Sequence, residues 1–91
     1  MTEHKPPLVW SLGPAARCPR GAVLRRDGAW IAEVWAGWVD TGLRYVWRAI
    51  VGDTRYRSFD IYRAYPATPE GLAEAKADAK AWVVEQEARA T

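Results

Sequence analysis

Few side chains in this 91-residue chain are suited to covalent or acid–base chemistry. His4 is the single histidine and Cys18 the single cysteine, and both lie in the first twenty residues, outside any Cys/His or Ser/His pairing. The chain has no glycine-rich phosphate loop and no metal-ligand spacing. The best-placed carboxylates are Glu33 and Asp60, which the strand pattern below puts on one sheet face. They stand four residues apart along the strands and two strands apart across them. At about 3.3 Å per residue and 4.8 Å per strand, that exceeds the roughly 5–9.5 Å of a paired-carboxylate hydrolase. They are expected to partner Tyr hydroxyls or Arg side chains. Enzyme is therefore the least favoured class, with no catalytic residue, cofactor or metal expected.

The chain is rich instead in side chains that recognise. It carries six Trp, four Tyr and one Phe, and each aromatic can bury roughly 150–250 Å². Residues 1–65 carry ten Lys/Arg against six Asp/Glu, and nine of the ten are Arg, a bias toward planar, directional hydrogen bonding. Residues 66–91 reverse the balance, with three basic against five acidic side chains, so a general polyanion binder is disfavoured. The net charge is +2 and charged residues make up 26% of the chain, a composition neither disordered nor membrane-embedded. No apolar run approaches the roughly 18 residues of a spanning helix. The amino end lacks the layout of a signal peptide, and with a lone cysteine the expected compartment is a reducing cytoplasm.

The elements that position these residues follow from turn signals. Asp27-Gly28, Asp40-Thr41-Gly42 and Gly52-Asp53 recur about every dozen residues between aromatic, β-branched and arginine-rich runs. They predict an α+β fold: a four-stranded antiparallel β-meander over 21–26, 29–39, 43–51 and 54–63, with one C-terminal helix on one face. Residues 1–20 form a Pro-rich arm whose Leu8–Leu12 stretch either pairs as an edge strand or lies across the domain, and 21–91 form the single domain. The helix is expected over 69–88, with Thr68 as N-cap, Pro69 at the first position and Glu70 in the first turn. Gly71 should weaken that turn by roughly 1 kcal/mol against alanine. Leu72, Ala75, Ala79, Trp82 and Val83 form the sheet-facing side. Ala73, Ala77, Ala81, Val84 and Ala88 form an uncharged second strip, a candidate homodimer contact.

Taking Asp40-Thr41-Gly42 as the whole turn sets Trp35 against Trp47, Gly37 against Tyr45 and Trp38 against Arg44. The next turn sets Val46 against Phe59, Arg48 against Arg57, Ile50 against Arg55 and Leu43 against Tyr62. Alternation then sorts the sheet. One face holds Leu24, Ile31, Trp35, Val39, Leu43, Tyr45, Trp47, Val51, Tyr56 and Tyr62, with Glu33, Ser58 and Asp60. The other holds Arg25, Arg44, Arg48, Arg55, Arg57 and Arg63 among Trp30, Trp38, Val34, Val46, Ile50, Phe59 and Ile61. Burying that many guanidinium groups would cost several kcal/mol per unpaired ion, so the first face is the expected core. The expected docking patch is Arg44, Arg48, Arg55, Arg57, Trp30 and Trp38. A one-residue slip at a turn would flip a strand.

Gly28-Ala29-Trp30-Ile31-Ala32-Glu33-Val34, an Arg-bearing strand and Thr68-Pro69-Glu70-Gly71-Leu72-Ala73-Glu74-Ala75 together resemble the ethylene-response-factor type of DNA-binding domain and the arm-binding domain of phage integrases. The resemblance spans 21–88 and implies a sheet over one helix that reads DNA with Arg and Trp on its open face. The chain departs from the pattern in its fourth strand and in lacking an arginine cluster before the first turn beyond Arg25-Arg26. It is also similar to small Trp-rich phage and prophage proteins, which implies an accessory or anti-defence role through binding a host protein. Two readings stand: a non-enzymatic protein-binding module, favoured because Trp and Arg dominate protein hot spots, and a nucleic-acid binder.

Overall fold

The computed structural model of the chain describes residues 6–12, 21–58 and 64–89. It shows an antiparallel sheet with one C-terminal helix. The strands are β1 (Leu8–Leu12), β2 (Ala22–Arg26), β3 (Ala29–Val39), β4 (Gly42–Val51), β5 (Thr54–Arg57) and β6 (Tyr65–Pro66), followed by α1 (Pro69–Arg89). The spatial order is β1-β2-β3-β4-β5, and β6 also pairs with β4. The meander is thus as expected but longer. The Leu8–Leu12 stretch is an edge strand on β2, and the described part of the expected fourth strand is β5, while β6, beyond its expected end, also pairs with β4. His4, Cys18, Phe59, Asp60, Ile61, Tyr62 and Arg63 lie outside the described residues.

Two of the three turns adopt the left-handed backbone that their residues favour. Asp27 (φ 53) and Gly28 (φ 81) are both left-handed, as a type I′ hairpin requires, and Gly52 (φ 58) supplies the one positive φ of a type II′ turn. At the third, Asp40 and Thr41 alone make the turn, and Gly42 (φ 113) already pairs with Val39. That one-residue difference corrects the expected register. Trp35 pairs with Val46, Gly37 with Arg44 and Trp38 with Leu43, while Val34 comes opposite Trp47. The β4–β5 register, Arg48 against Arg57 and Ile50 against Arg55, is the expected one.

The slip turns β3 over, and volume and charge explain why. The helix-side positions of β3 become Ala32, Val34 and Ala36, small residues that leave room for Tyr45 and Trp47 on β4. The expected register would have put Trp35 beside Trp47 under the helix and buried the Glu33 carboxylate there, an overfilled core holding a desolvated charge. Trp35 and Glu33 therefore leave the expected core face, and so does Val39 by alternation. Val34, expected outside, is 1% exposed within the core. Further back along β3 a bulge shifts the register: Leu24 pairs with Ala32 and Arg25 with Trp30, leaving Ile31 as the extra residue, packed on the core.

Trp47 organises the core. Its ring stacks on Tyr56 at 4.6 Å and 21°, and Trp82 of the helix leans on both, 6.2 Å and 5.5 Å away. Where β5 ends, the Trp47 backbone N–H donates to Ser58 Oγ (2.9 Å), so a fully buried side chain takes the place of a ladder carbonyl. The Trp47 indole N–H donates to the Tyr65 hydroxyl oxygen (3.1 Å), and that hydroxyl donates to Asp78 Oδ2 (2.6 Å), so the chain of bonds joins β4, β6 and α1.

The helix starts as expected: the Gly71 N–H donates to Thr68 Oγ1 (3.0 Å). Gly71, Ala75, Ala79 and Val83 are buried against the sheet, with Leu72 and Trp82 packed beside them. At the far end Arg26 ion-pairs with Glu87 and its Nε–H donates to the Pro6 carbonyl (2.8 Å), joining arm, sheet and helix. Among the described residues no helix is long and apolar enough to cross a membrane.

Gly71 is a packing requirement as well as a weak helix former. A Cβ there would fall 1.8 Å from the Pro66 carbonyl oxygen, an impossible approach to backbone. Gly71→Ala should therefore lower stability by about 1–3 kcal/mol in urea denaturation, although alanine alone would favour the helix by about 1 kcal/mol. Equal or higher stability would refute the contact. Trp47→Ala should cost about 3–5 kcal/mol, whereas Trp38→Ala should stay within about 0.5 kcal/mol.

Candidate docking face

The sheet face opposite α1 collects the arginines. Alternation along β4 and β5 places Arg44, Arg48, Arg55 and Arg57 there, beside Val46 and Ile50, as expected. Arg25 joins them from β2. The Ile31 bulge brings Trp30, an even-numbered residue, onto the same face as odd-numbered Glu33 and Trp35. Trp30 is thus where it was expected, by a route that simple alternation does not provide. Trp38 is not. It pairs with Leu43 on the helix side of the sheet, near the β3–β4 turn, and is 82% exposed. Trp35 and Glu33 take its place.

These residues converge on Arg48. Its guanidinium carbon stands 5.6 Å from the centroid of the Trp30 ring and 5.8 Å from that of Trp35, within cation–π range of both. Its Nε–H donates to Glu33 Oε1 at 2.6 Å across the β3–β4 pair. Glu33 is the better buried partner, its side chain 13% exposed against 42% for Arg48, so the carboxylate anchors the guanidinium from inside. Trp35 is seated by Gly37, where a Cβ would stand 3.3 Å from Trp35 Nε1 and 3.7 Å from Val46 Cγ2. Glycine two positions along the strand leaves space for the indole to lie over the sheet.

The arginines differ in how far they are exposed. Arg44 donates to the neighbouring Leu43 carbonyl (2.9 Å) and Arg25 to the Gly28 carbonyl (3.2 Å). Arg55 and Arg57 are exposed near the β5 edge and, with Trp30, Arg48 and Ile50, line a shallow depression of about 690 Å³. Ala49 and Tyr56 complete a lining that combines apolar residues with three arginines. Such a surface binds carboxylates or phosphates presented beside apolar matter. Among the described residues, this face sets five arginines against one carboxylate, Glu33. Glu33 was missed as a site residue because its face depends on the β3 register. The signal for Trp35 was the glycine two residues after it.

Because Arg48 is partly exposed, its pair with Glu33 should be modest. A double-mutant cycle with Glu33→Ala and Arg48→Ala should give a coupling of about 0.5–1 kcal/mol in urea denaturation, shrinking as salt is raised. A coupling of zero would mean that the pair does not hold Arg48 in solution.

Compared with protein-family models, curated proteins and solved structures, the chain has no match in any of the three.

Proposed function

We propose that this chain is a small non-enzymatic binding protein whose arginine and tryptophan sheet face docks on an acidic surface of a protein partner. The observation that carries the reading is the Trp30–Arg48–Trp35 arrangement anchored by Glu33. A guanidinium already held between two rings loses little side-chain freedom on binding, and Trp and Arg are the residues most enriched at protein hot spots. Exposed Arg55 and Arg57 beside it supply charge for steering toward carboxylates. Arg48 and Arg57 stand directly opposite each other, which gathers positive charge at one place on the face. An accessory or anti-defence role in a phage or mobile element fits a protein of this size acting by contact alone.

A nucleic-acid reading draws on the same arginines, which share one face of the antiparallel sheet. The inward-held carboxylate of Glu33 and the acidic helix, with five Asp/Glu against three Lys/Arg over 66–91, favour the protein reading.

The experiment is affinity capture followed by quantitative binding with the captured partner. Arg55→Ala with Arg57→Ala should weaken binding by about 10- to 100-fold while leaving the melting temperature within a few degrees of the parent, since both side chains are exposed. Full binding by that variant would end the reading. Tight binding to duplex DNA with a steep loss of affinity as salt rises would favour nucleic acid instead.

A further inference from the structure

The two ends of the sheet are finished differently. β5 is four residues long and carries Arg55 and Arg57. β1 is five residues long, Leu8-Val9-Trp10-Ser11-Leu12, without a charge, a proline or a break in its register with β2. Among the described residues nothing pairs with its outer side. Edge strands of isolated domains are blunted by charge, proline, bulges or brevity, because unpaired N–H and C=O groups template another strand. Short as it is, β1 carries no charge, proline or bulge within its five residues.

The strand also matches itself. Placed antiparallel to an identical strand about a two-fold axis at Trp10, Leu8 comes opposite Leu12 of the partner subunit, Val9 opposite Ser11 of the partner subunit and Trp10 opposite Trp10 of the partner subunit. On one face leucine meets leucine and tryptophan meets tryptophan, and on the other valine meets serine with no charge to clash, a compatibility with itself that a two-fold contact requires. The register holds whichever alternate set of backbone groups points outward, since a two-fold axis can pass through either kind of antiparallel pair. The face shared by Val9 and Ser11 is open to receive it: Val9 is 53% exposed and Ser11 is exposed.

We infer that β1 is the contact of a homodimer, in which β1 of a second copy adds antiparallel across an axis at Trp10 and joins the two sheets into one. An axis perpendicular to the sheet keeps both helices on one side and both arginine faces on the other, doubling the width of the docking face. The inference does not rest on what that face binds. It also differs from a dimer through Ala73, Ala77, Ala81, Val84 and Ala88, which the structure leaves exposed along the helix.

The test is sedimentation equilibrium of the full chain over a micromolar concentration series. The parent should show a concentration-dependent dimer. Val9→Lys with Ser11→Lys sets lysines opposite each other twice across the axis and should weaken dimerisation by about tenfold or more. Val9→Lys with Ser11→Glu sets each lysine against a glutamate and should restore it. Val9 lies opposite Arg25, so both variants should lose the same modest stability, about 0.2–1 kcal/mol, checked by circular dichroism, and the difference between them isolates the contact across the axis. Ala77→Glu with Ala81→Glu should leave the dimer intact. A monomeric parent, a dimer untouched by the two lysines, no rescue by the Lys/Glu chain, or dissociation by the helix changes would each overturn the β1 contact.

Discussion

The pairing of β3 with β4 is the constraint on which the rest of the molecule depends. With Val39 against Gly42, every even-numbered residue of β3 from Ala32 onward points toward α1 and every odd-numbered one toward the arginines. This keeps Trp35 out of the core, and it delivers Glu33 to Arg48. Two opposing demands meet in it. The helix side needs small β3 residues so that Trp47, Tyr56 and Trp82 can stack at 4.6–6.2 Å. The opposite side needs an acid among its guanidinium groups. Only the register with the two-residue turn satisfies both.

The bulge at Ile31 then separates two regions of β3. Beyond it, strict alternation governs. Before it, Trp30 is returned to the arginine face while Ile31 stays on the core. A bulge sharpens local twist and re-aims side chains, and here it sets Trp30 and Trp35 on either side of one guanidinium. The rigidity of that arrangement comes from the sheet, since all four side chains rise from hydrogen-bonded strands. The face is thus preorganised by backbone pairing rather than by loops.

The helix is held by close approach more than by large side chains. Alanines at 75 and 79 and glycine at 71 bring the axis down onto the sheet, so that the aromatic volume comes mostly from β4, β5 and the single Trp82. Polar ties hold it along its length: Thr68 at the start, Tyr65 on Asp78 at the middle, Arg26 on Glu87 toward the finish. Arg26 also holds Pro6, which fixes the entry of β1 and so joins the edge strand to the same framework.

Much of this was legible in the sequence because it rests on local chemistry. Asp27-Gly28 and Gly52-Asp53 carry their turn geometry in their own backbone preferences, Thr68-Pro69-Glu70 marks the helix start, and the arginines of β4 and β5 alternate onto one face whatever the rest does. The register of β3 was not legible, because Asp40-Thr41-Gly42 is compatible with a turn of two or of three residues. The choice is made by whether Trp35 or Val34 fits beneath the helix, a question of volume between segments distant in sequence. The end of β5 at Arg57 belongs to the same class, since Ser58 replaces a ladder carbonyl only because Trp47 is already in place to donate to it. Gly71 is the clearest case: as a local residue it weakens a helix, and only the Pro66 carbonyl against it shows why no Cβ can stand there. The sequence by itself determined the helix, the strand pattern of β2 to β4 and two of the three turns, because those depend on neighbours along the chain. Tertiary structure decided the faces, because those depend on which volumes and charges can share one interior.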